Sequence, residues 1–220
     1  MRSPNVTKMR SKRDLQGLLK VILNTEDPVS RGSAIEAGID LALEDVYDTQ
    51  QNIAWSQGLT SGLAVTANRG DDLSLETLLR IIGREFGEAG NFYADTLRTS
   101  AMEAIRGVGA AIPRLTPLLE HPDPLVRIDA ARTIGKIGFD TGDVSALPAL
   151  ARTGLDAEPP PPANKWAKRP PGPPYSWDIR NECFIAAKNI ERTNPQGYQK
   201  ALQAMSDDER AWLSAPPASG

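Results

Sequence analysis

Apolar residues recur with a helical period along much of this chain. The first clear stretch carries apolar side chains at the three- and four-residue spacing of a buried helix face: Leu15, Leu18, Leu19, Ile22 and Leu23. The pattern and its flanking turn residues predict further helices near residues 111–120, 144–155 and 177–191. We therefore expect an all-α protein.

A short motif, an arginine followed at +3 and +6 by small or apolar residues, occurs four times. Its arginines are Arg31, Arg98, Arg127 and Arg180. A repeated motif of this kind marks stacked helical units, because each unit needs a neighbour to bury its apolar face. The sequence predicts an α-solenoid of four to five helix pairs that forms a right-handed superhelix.

An Asp-Pro pair marks the start of two of these helices. Asp27 and Asp123 occupy the N-cap position, and Pro28 and Pro124 follow at the first helical position, where the missing N–H is not needed. Each pair comes directly after a predicted apolar helix. The unit is therefore helix A, a tight turn and helix B.

Two segments depart from the repeat spacing. Residues 44–70 are either a long loop or an eroded repeat; because long structureless loops are uncommon in compact domains, we favour a repeat with helices near 44–57 and 59–68. Residues 156–176 contain eight prolines, which favour an extended insertion between helix A and helix B of the last unit.

These features divide the chain into three parts. Residues 1–13 form a basic, disordered amino-terminal arm, and residues 14–193 form the repeat domain with its proline-rich insertion. Residues 194–220 are predicted to form a capping helix, started by a capping box of Ser206 and Glu209, and a tail.

The sequence IPRLTPLLEHPDPLVRIDAARTIGKIG, residues 112–138, resembles a HEAT-like repeat of the short kind also found in phycobilin-lyase-type proteins. The resemblance implies that the repeat positions are structural and stabilise turns and neighbouring repeats: Asp27, Arg31, Arg98, Asp123, Arg127 and Arg180. Proteins of this family range from scaffolds to enzymes, so the resemblance alone does not give the function.

Composition narrows the chemistry that the chain can perform. The net charge is −3 with a pI near 5.3, whereas a dedicated nucleic-acid coat needs a positive face. One histidine, His121, and one cysteine, Cys183, supply too little material for a metal site, so we expect neither metal nor cofactor. A single cysteine also leaves a cytoplasmic location as the default, and no segment is long and apolar enough to predict a membrane span.

Two enzyme hypotheses are alternatives to a binding module. Cys183 lies in register with the apolar face of its helix, which predicts a buried core residue rather than a nucleophile. Alkylpurine DNA glycosylases with HEAT-like folds use an Asp beside tryptophans, but the four tryptophans here are scattered along the chain: Trp55, Trp166, Trp177 and Trp212. A nucleic-acid-binding or base-excision protein, and a prosthetic-group lyase subunit, stay as alternatives.

Two groups of residues are candidate partner contacts. The insertion and the helix start after it carry basic and aromatic side chains: Lys165, Trp166, Lys168, Arg169, Tyr175 and Trp177. Basic residues also recur on the B helices, which we expect to line a concave side: Arg106, Arg132, Lys136 and Lys188. The alternatives are an insertion that folds back on its own repeats and an ordinary solvated helix face with mixed charge.

The sequence thus predicts a non-catalytic scaffold that binds a protein partner through the B helices and the insertion. Replacement of Trp166, Lys168 and Arg169 together should weaken partner capture and leave the thermal unfolding midpoint nearly unchanged. Paired pull-down and thermal-unfolding measurements check this expectation. A large fall in the midpoint would show that the insertion is structural.

Overall fold

The chain folds into helices joined by short turns, as a computed structural model shows for residues 4–44, 49–87, 90–157 and 176–214. The described residues form twelve α-helices and two short 3₁₀ helices, and they contain no strand. The all-α fold class is therefore confirmed. The chain divides into two compact units, Met1–Ala111 and Ile112–Gly220.

Unit 1 is built around one long helix. Its helices are α1 (Val6–Ser11), α2 (Leu15–Asn24), α3 (Pro28–Leu43), α4 (Thr49–Asn68), α5 (Asp72–Ile82) and α6 (Phe92–Ala104), and a 3₁₀ turn (Ile105–Gly107) follows α6. Helix α4 packs against α2, α3, α5 and α6. It therefore forms the centre of the unit.

The predicted pair of helices near 44–57 and 59–68 is wrong, because α4 runs unbroken from residue 49 to residue 68. Gly58 and Gly62 would ordinarily weaken a helix. Here they face Leu19 of α2, and a Cβ added at Gly62 would lie 3.2 Å from that side chain. Close packing of α2 on the two glycines keeps the helix continuous.

Buried hydrogen bonds tie α4 to its neighbour α3. Asn52 donates from Nδ2 to the carbonyl of Ala42 at 2.7 Å, and Trp55 donates from Nε1 to the carbonyl of Gly38 at 3.0 Å. Both donor side chains are buried. Because a buried donor without a partner costs about 1–3 kcal/mol, these bonds fix the position of α4 on α3.

A second polar network joins the turns at one end of unit 1. Asp71, the N-cap of α5, accepts hydrogen bonds from the backbone N–H and the hydroxyl of Ser74. It also forms an ion pair with Arg31 of α3, whose guanidinium donates to the carbonyl of Thr25. Thr66 of α4 donates to the Ser74 hydroxyl at 2.7 Å. Elements far apart in sequence are thereby held at one point.

The amino-terminal segment differs from the disordered arm predicted for residues 1–13. Residues 6–11 form α1, which packs on α3 and α2. Arg10 pairs with Asp40 at 3.0 Å, and Arg13 approaches Glu44 at 3.5 Å. All four side chains are substantially exposed, so these ion pairs contribute little to stability.

Unit 2 consists of helix pairs followed by two terminal helices. Its elements are α7 (Ala111–Leu115), a 3₁₀ helix (Thr116–Glu120), α8 (Pro124–Thr141), α9 (Leu147–Asp156), α10 (Ser176–Thr193), α11 (Pro195–Gln203) and α12 (Asp207–Ser214). The helix predicted near 111–120 is thus part α-helix and part 3₁₀ helix. Pro117 lacks the N–H that a continuous α-helix would bond to the carbonyl of residue 113.

Helices α8 and α10 lie parallel and in direct contact. A Cβ added at Gly135 would lie 2.7 Å from the Cα of Ala186, and one at Gly138 would lie 2.3 Å from Cγ1 of Ile190. Residues about 51 positions apart therefore face each other along both helices. The two glycines remove the side chains that would otherwise separate the backbones.

Three of the four repeat arginines bond to the end of the preceding helix. Arg31 donates to the carbonyl of Thr25, Arg127 to that of His121 and Arg180 to that of Gly154. The carbonyls at a helix end have no partner within the helix, so each arginine satisfies one of them. Arg98 instead pairs with Asp95 at 2.9 Å and makes further contacts.

The helix starts follow the predicted caps. Asp27 accepts from the N–H groups of Val29 and Ser30, and Asp123 accepts from that of Leu125. The hydrogen bonds from Ser30, first from its hydroxyl and then from its N–H, hold the pKa of Asp27 below its ordinary value.

The capping box of Ser206 and Glu209 is also formed. Each residue donates its N–H to the side chain of the other, at 2.9 and 3.3 Å. The box starts α12, but the segment after residue 193 holds two helices, α11 and α12, where one was predicted.

We expect Gly135→Ala to destabilise the protein by about 1–3 kcal/mol, because the new methyl group would meet the backbone of α10. Gly32→Ala in α3 is the matched control, since its Cβ would lie 3.5 Å from Leu73, an ordinary contact. That change should stabilise the protein by about 0.5–1 kcal/mol. Urea unfolding measures both. Equal effects of the two substitutions would contradict the close contact.

Candidate protein-interaction surface

The parallel contact of α8 and α10 creates one surface that carries charged and apolar side chains together. We call it the α8–α10 face. Across the two helices, Arg132 of α8 contacts Glu182 of α10, and Phe139 of α8 contacts Arg192 of α10. Lys136 and Ile185 belong to the same sides of α8 and α10 by their helical spacing from these residues. The register set by Gly135 and Gly138 brings these residues together.

Two large apolar side chains of this face are open to solvent. Phe139 is 43% exposed and Ile185 is 44% exposed. They are the only large hydrophobic residues with such exposure in the described part of unit 2. Exposed aromatic and aliphatic side chains lose water when a partner covers them, so they are candidate anchors.

Arg192 covers one side of the Phe139 ring. Its guanidinium carbon lies 5.7 Å from the ring centroid, within the range of a cation–π contact. Neighbouring hydrogen bonds fix this geometry: Thr193 donates to the carbonyl of Phe139 at 2.8 Å, and Asn194 donates to that of Gly142 at 2.9 Å. Gly142 ends α8 in a left-handed conformation with φ of 70°.

Arg132 and Glu182 cross the groove between the helices. They form an ion pair at 2.7 Å, in which the arginine is half exposed and the carboxylate is mostly buried. The hydrogen bond to Glu182 raises the pKa of Arg132. Lys136, one turn further along α8, is half-buried and has contacts of its own. Charges of both signs are therefore present on the face.

Lys188 does not join these residues. It lies on another side of α10, where its ammonium pairs with Glu191 at 2.7 Å. The same group lies 5.3 Å from the Phe184 ring and 5.6 Å from the ring of Tyr198 in α11. Its ammonium group therefore interacts with residues of unit 2. Contrary to the prediction from the sequence, Lys188 does not share a surface with Arg132 and Lys136.

Arg106 belongs to unit 1. It lies in the 3₁₀ turn after α6, where it pairs with Glu103 at 2.6 Å. The expectation that B helices line a concave side stays a prediction.

The candidates in the insertion lie outside the described residues: Lys165, Trp166, Lys168, Arg169 and Tyr175. Trp177 belongs to the first turn of α10, and its side chain also lies outside the described structure. Their roles as partner contacts stay predictions.

Sequence reasoning missed Phe139, Ile185 and Arg192. The signal was present for Ile185, since it precedes the buried pair Ala186 and Ala187 and falls off the apolar stripe of its helix. An apolar residue out of phase with its stripe is a candidate surface anchor. The contact of Phe139 with Arg192 depends on the α8–α10 register, which could not be predicted from the sequence.

Cys183 and His121, the two candidates for catalytic or metal-binding chemistry, contact other residues of their own unit. Cys183 is fully buried, and burial raises the pKa of its thiol to about 12. His121 accepts the N–H of Asp123 at Nδ1, and its carbonyl accepts from Arg127. Within the described ranges, no three His, Cys, Asp or Glu side chains are placed to hold a metal ion. None of the described helices is long and apolar enough to cross a membrane.

The two tryptophans with described side chains are buried. Trp55 lies between α4 and α3, as its bond to Gly38 shows. Trp212 of α12 packs on Gly154 of α9, where an added Cβ would lie 2.2 Å from the indole. It also meets the Phe184 ring edge-on at 5.8 Å and the Arg180 guanidinium at 5.7 Å. Both indoles join helices within a unit.

The helix pairs and capped turns define an α-helical repeat protein. A family model for HEAT repeats matches residues 94–167, about a third of the chain, from α6 past the end of α9. Residues 94–167 are therefore similar to HEAT repeats, in agreement with the resemblance of residues 112–138. No curated protein matches the chain. The narrower resemblance to phycobilin-lyase-type repeats stays a prediction.

The burial of Cys183 predicts a thiol that reacts slowly. At pH 8, a pKa of about 12 leaves far less thiolate than the ordinary value of 9.0, so a disulfide reagent should modify the native protein at least about 100-fold more slowly than the urea-unfolded chain. Absorbance of the released aromatic thiol measures both rates. Equal rates would show that the thiol is accessible.

Proposed function

We propose that this protein is a non-catalytic scaffold that binds a protein partner through the α8–α10 face. HEAT repeats are in general protein-interaction modules, and their stacked helices form extended binding surfaces. The observation that carries the proposal is the exposure of Phe139 and Ile185 on a face that also carries Arg132, Lys136 and Arg192. Aromatic and arginine side chains on a rigid surface are the usual anchors of protein interfaces.

The rigidity of the face supports this role. Its two helices touch at glycine positions, and their carboxyl-terminal ends are joined by hydrogen bonds from Thr193 and Asn194. A surface that is already ordered loses little conformational entropy when a partner binds. Contacts with the partner are therefore offset by only a small loss of conformational entropy.

The insertion extends the proposed contact region. It lies directly before α10 in the chain, and its residues 165–169 combine basic side chains with Trp166 among prolines. Proline-rich segments lose little freedom on binding because their backbone is already restricted. We include Lys165, Trp166, Lys168 and Arg169 in the proposed interface together with Tyr175 and Trp177.

The proposal includes the absence of catalysis and a cytoplasmic location. The burial of Cys183 and the hydrogen bonds of His121 support a structural role for both residues. The cytoplasmic location rests on the single cysteine, since secreted domains of this size commonly carry paired cysteines.

We expect Ile185→Asp to weaken capture of the partner by at least about tenfold, because a carboxylate would enter the apolar centre of the face. Val65→Asp in α4 is the matched control: Val65 is also a β-branched residue inside a helix, and it is 43% exposed. Quantitative pull-down from the native host compares the two full-length variants with the unchanged chain.

Circular dichroism and thermal unfolding show whether either variant is unfolded. The proposal requires that Ile185→Asp retains its helix content while it loses the partner. If both variants capture the same proteins as the unchanged chain, the α8–α10 face is not the binding surface.

A further inference from the structure

The charge of Arg192 distinguishes it from the other cations of the α8–α10 face. Arg132 has Glu182 as its carboxylate partner, and Lys136 also has contacts of its own. Among the described residues, Arg192 contacts the Phe139 ring and pairs with no carboxylate. Its exposed guanidinium is therefore open to a carboxylate of another molecule.

The contact with Phe139 leaves the hydrogen-bonding capacity of Arg192 available, because its guanidinium donates no hydrogen bond to a described residue. The N–H donors of a guanidinium lie in its plane. That plane matches a carboxylate, which accepts two parallel N–H bonds from an arginine. The exposed Phe139 ring lies beside it and offers apolar surface.

The apolar anchors set a second requirement. The contact of Gly135 with Ala186 places Ile185 level with about residue 134 of α8. Phe139 lies about five residues further on, which is roughly 7 Å along the helix axis at 1.5 Å per residue. A partner that covers both side chains must present two apolar groups that are offset by about this distance along the helix axes.

We propose that the partner of this face is a protein segment that carries an Asp or Glu beside apolar side chains. The carboxylate pairs with Arg192, and the apolar side chains cover Phe139 and Ile185. This inference rests on the proposed function and adds the chemistry of the partner.

A nucleic-acid backbone fits the face less well. Its phosphates could pair with Arg192, but they would leave Phe139 and Ile185 without an apolar contact. They would also approach the carboxylate of Glu182, which lies between the two helices. The apolar surface and the guanidinium of Arg192 favour an amphipathic protein segment that carries a carboxylate, whereas Glu182, Asp129 and Asp178 lie around Arg132.

Site-specific photocrosslinking identifies the segment directly. Asn189 lies on the same side of α10, between Ile185 and Arg192, and is half-buried. The full chain with a photoreactive phenylalanine at position 189 is irradiated in extract of its native host, and the crosslinked peptide is sequenced. The same probe at position 65 of α4 is the control.

The sequenced peptide is then synthesised and titrated against the full chain by fluorescence anisotropy. Arg192→Glu should weaken its binding about tenfold or more, and replacement of the peptide carboxylate by an amide should have a similar effect on the unchanged chain. The two changes together should cost little more than either alone. Arg152→Glu, at a mostly exposed arginine of α9, is the control and should leave the affinity within twofold.

Each contrary outcome has a distinct meaning. A crosslinked peptide without Asp or Glu, an unchanged affinity for Arg192→Glu or a crosslinked nucleic acid overturns this inference. The absence of any product above that of position 65 overturns the proposed function itself, and the inference with it.

Discussion

The direct contact between α8 and α10 is the constraint on which unit 2 depends. Gly135 and Gly138 let the two helices touch, and their positions fix which residues of α10 lie opposite which residues of α8. The ion pair of Arg132 with Glu182 and the contact of Arg192 with Phe139 both follow from that register. A side chain at Gly135 would push the backbones apart, and the exposed face would lose its geometry along with its packing.

In unit 1, buried hydrogen bonds fix the positions of the helices. Its central helix α4 is held by buried hydrogen bonds from Asn52 and Trp55 and by the network around Asp71. Polar groups can stabilise a core only where each donor finds an acceptor, so these bonds specify the placement of α4. The arginine that bonds to the preceding helix end recurs in both units, through Arg31 in the first and Arg127 in the second. It is the local element that the units share.

Local features of the fold could be predicted from the sequence, whereas tertiary features could not. Asp27 and Asp123 mark helix starts because capping is an interaction between neighbours in the chain. The unbroken α4 could not be predicted, since its glycines are compensated by Leu19 of another helix. The sequence predicts Lys188 as a surface contact, whereas in the structure its ammonium lies over the Tyr198 ring of α11. A contact between two helices of this kind is a tertiary feature that the sequence pattern does not reveal. For the candidate site, Arg132 and Lys136 were predicted, and Phe139, Ile185 and Arg192 required the register of α8 and α10.

Two cations of α10 have different surroundings. Lys188 lies on a side of the helix that other residues of unit 2 cover, whereas Arg192 lies on the exposed α8–α10 face. Lys188 and Arg192 both lie over aromatic rings, of Phe184 and Tyr198 in one case and of Phe139 in the other. Helix α11 contributes the fully buried Tyr198, and Glu191 supplies the carboxylate, so the interactions of Lys188 are complete within the chain. Phe139 has no such cover, and Arg192 has no such carboxylate among the described residues. A partner that brings an apolar group and a carboxylate to the α8–α10 face would give Arg192 the same kinds of contact that Lys188 already has: an aromatic ring and a carboxylate.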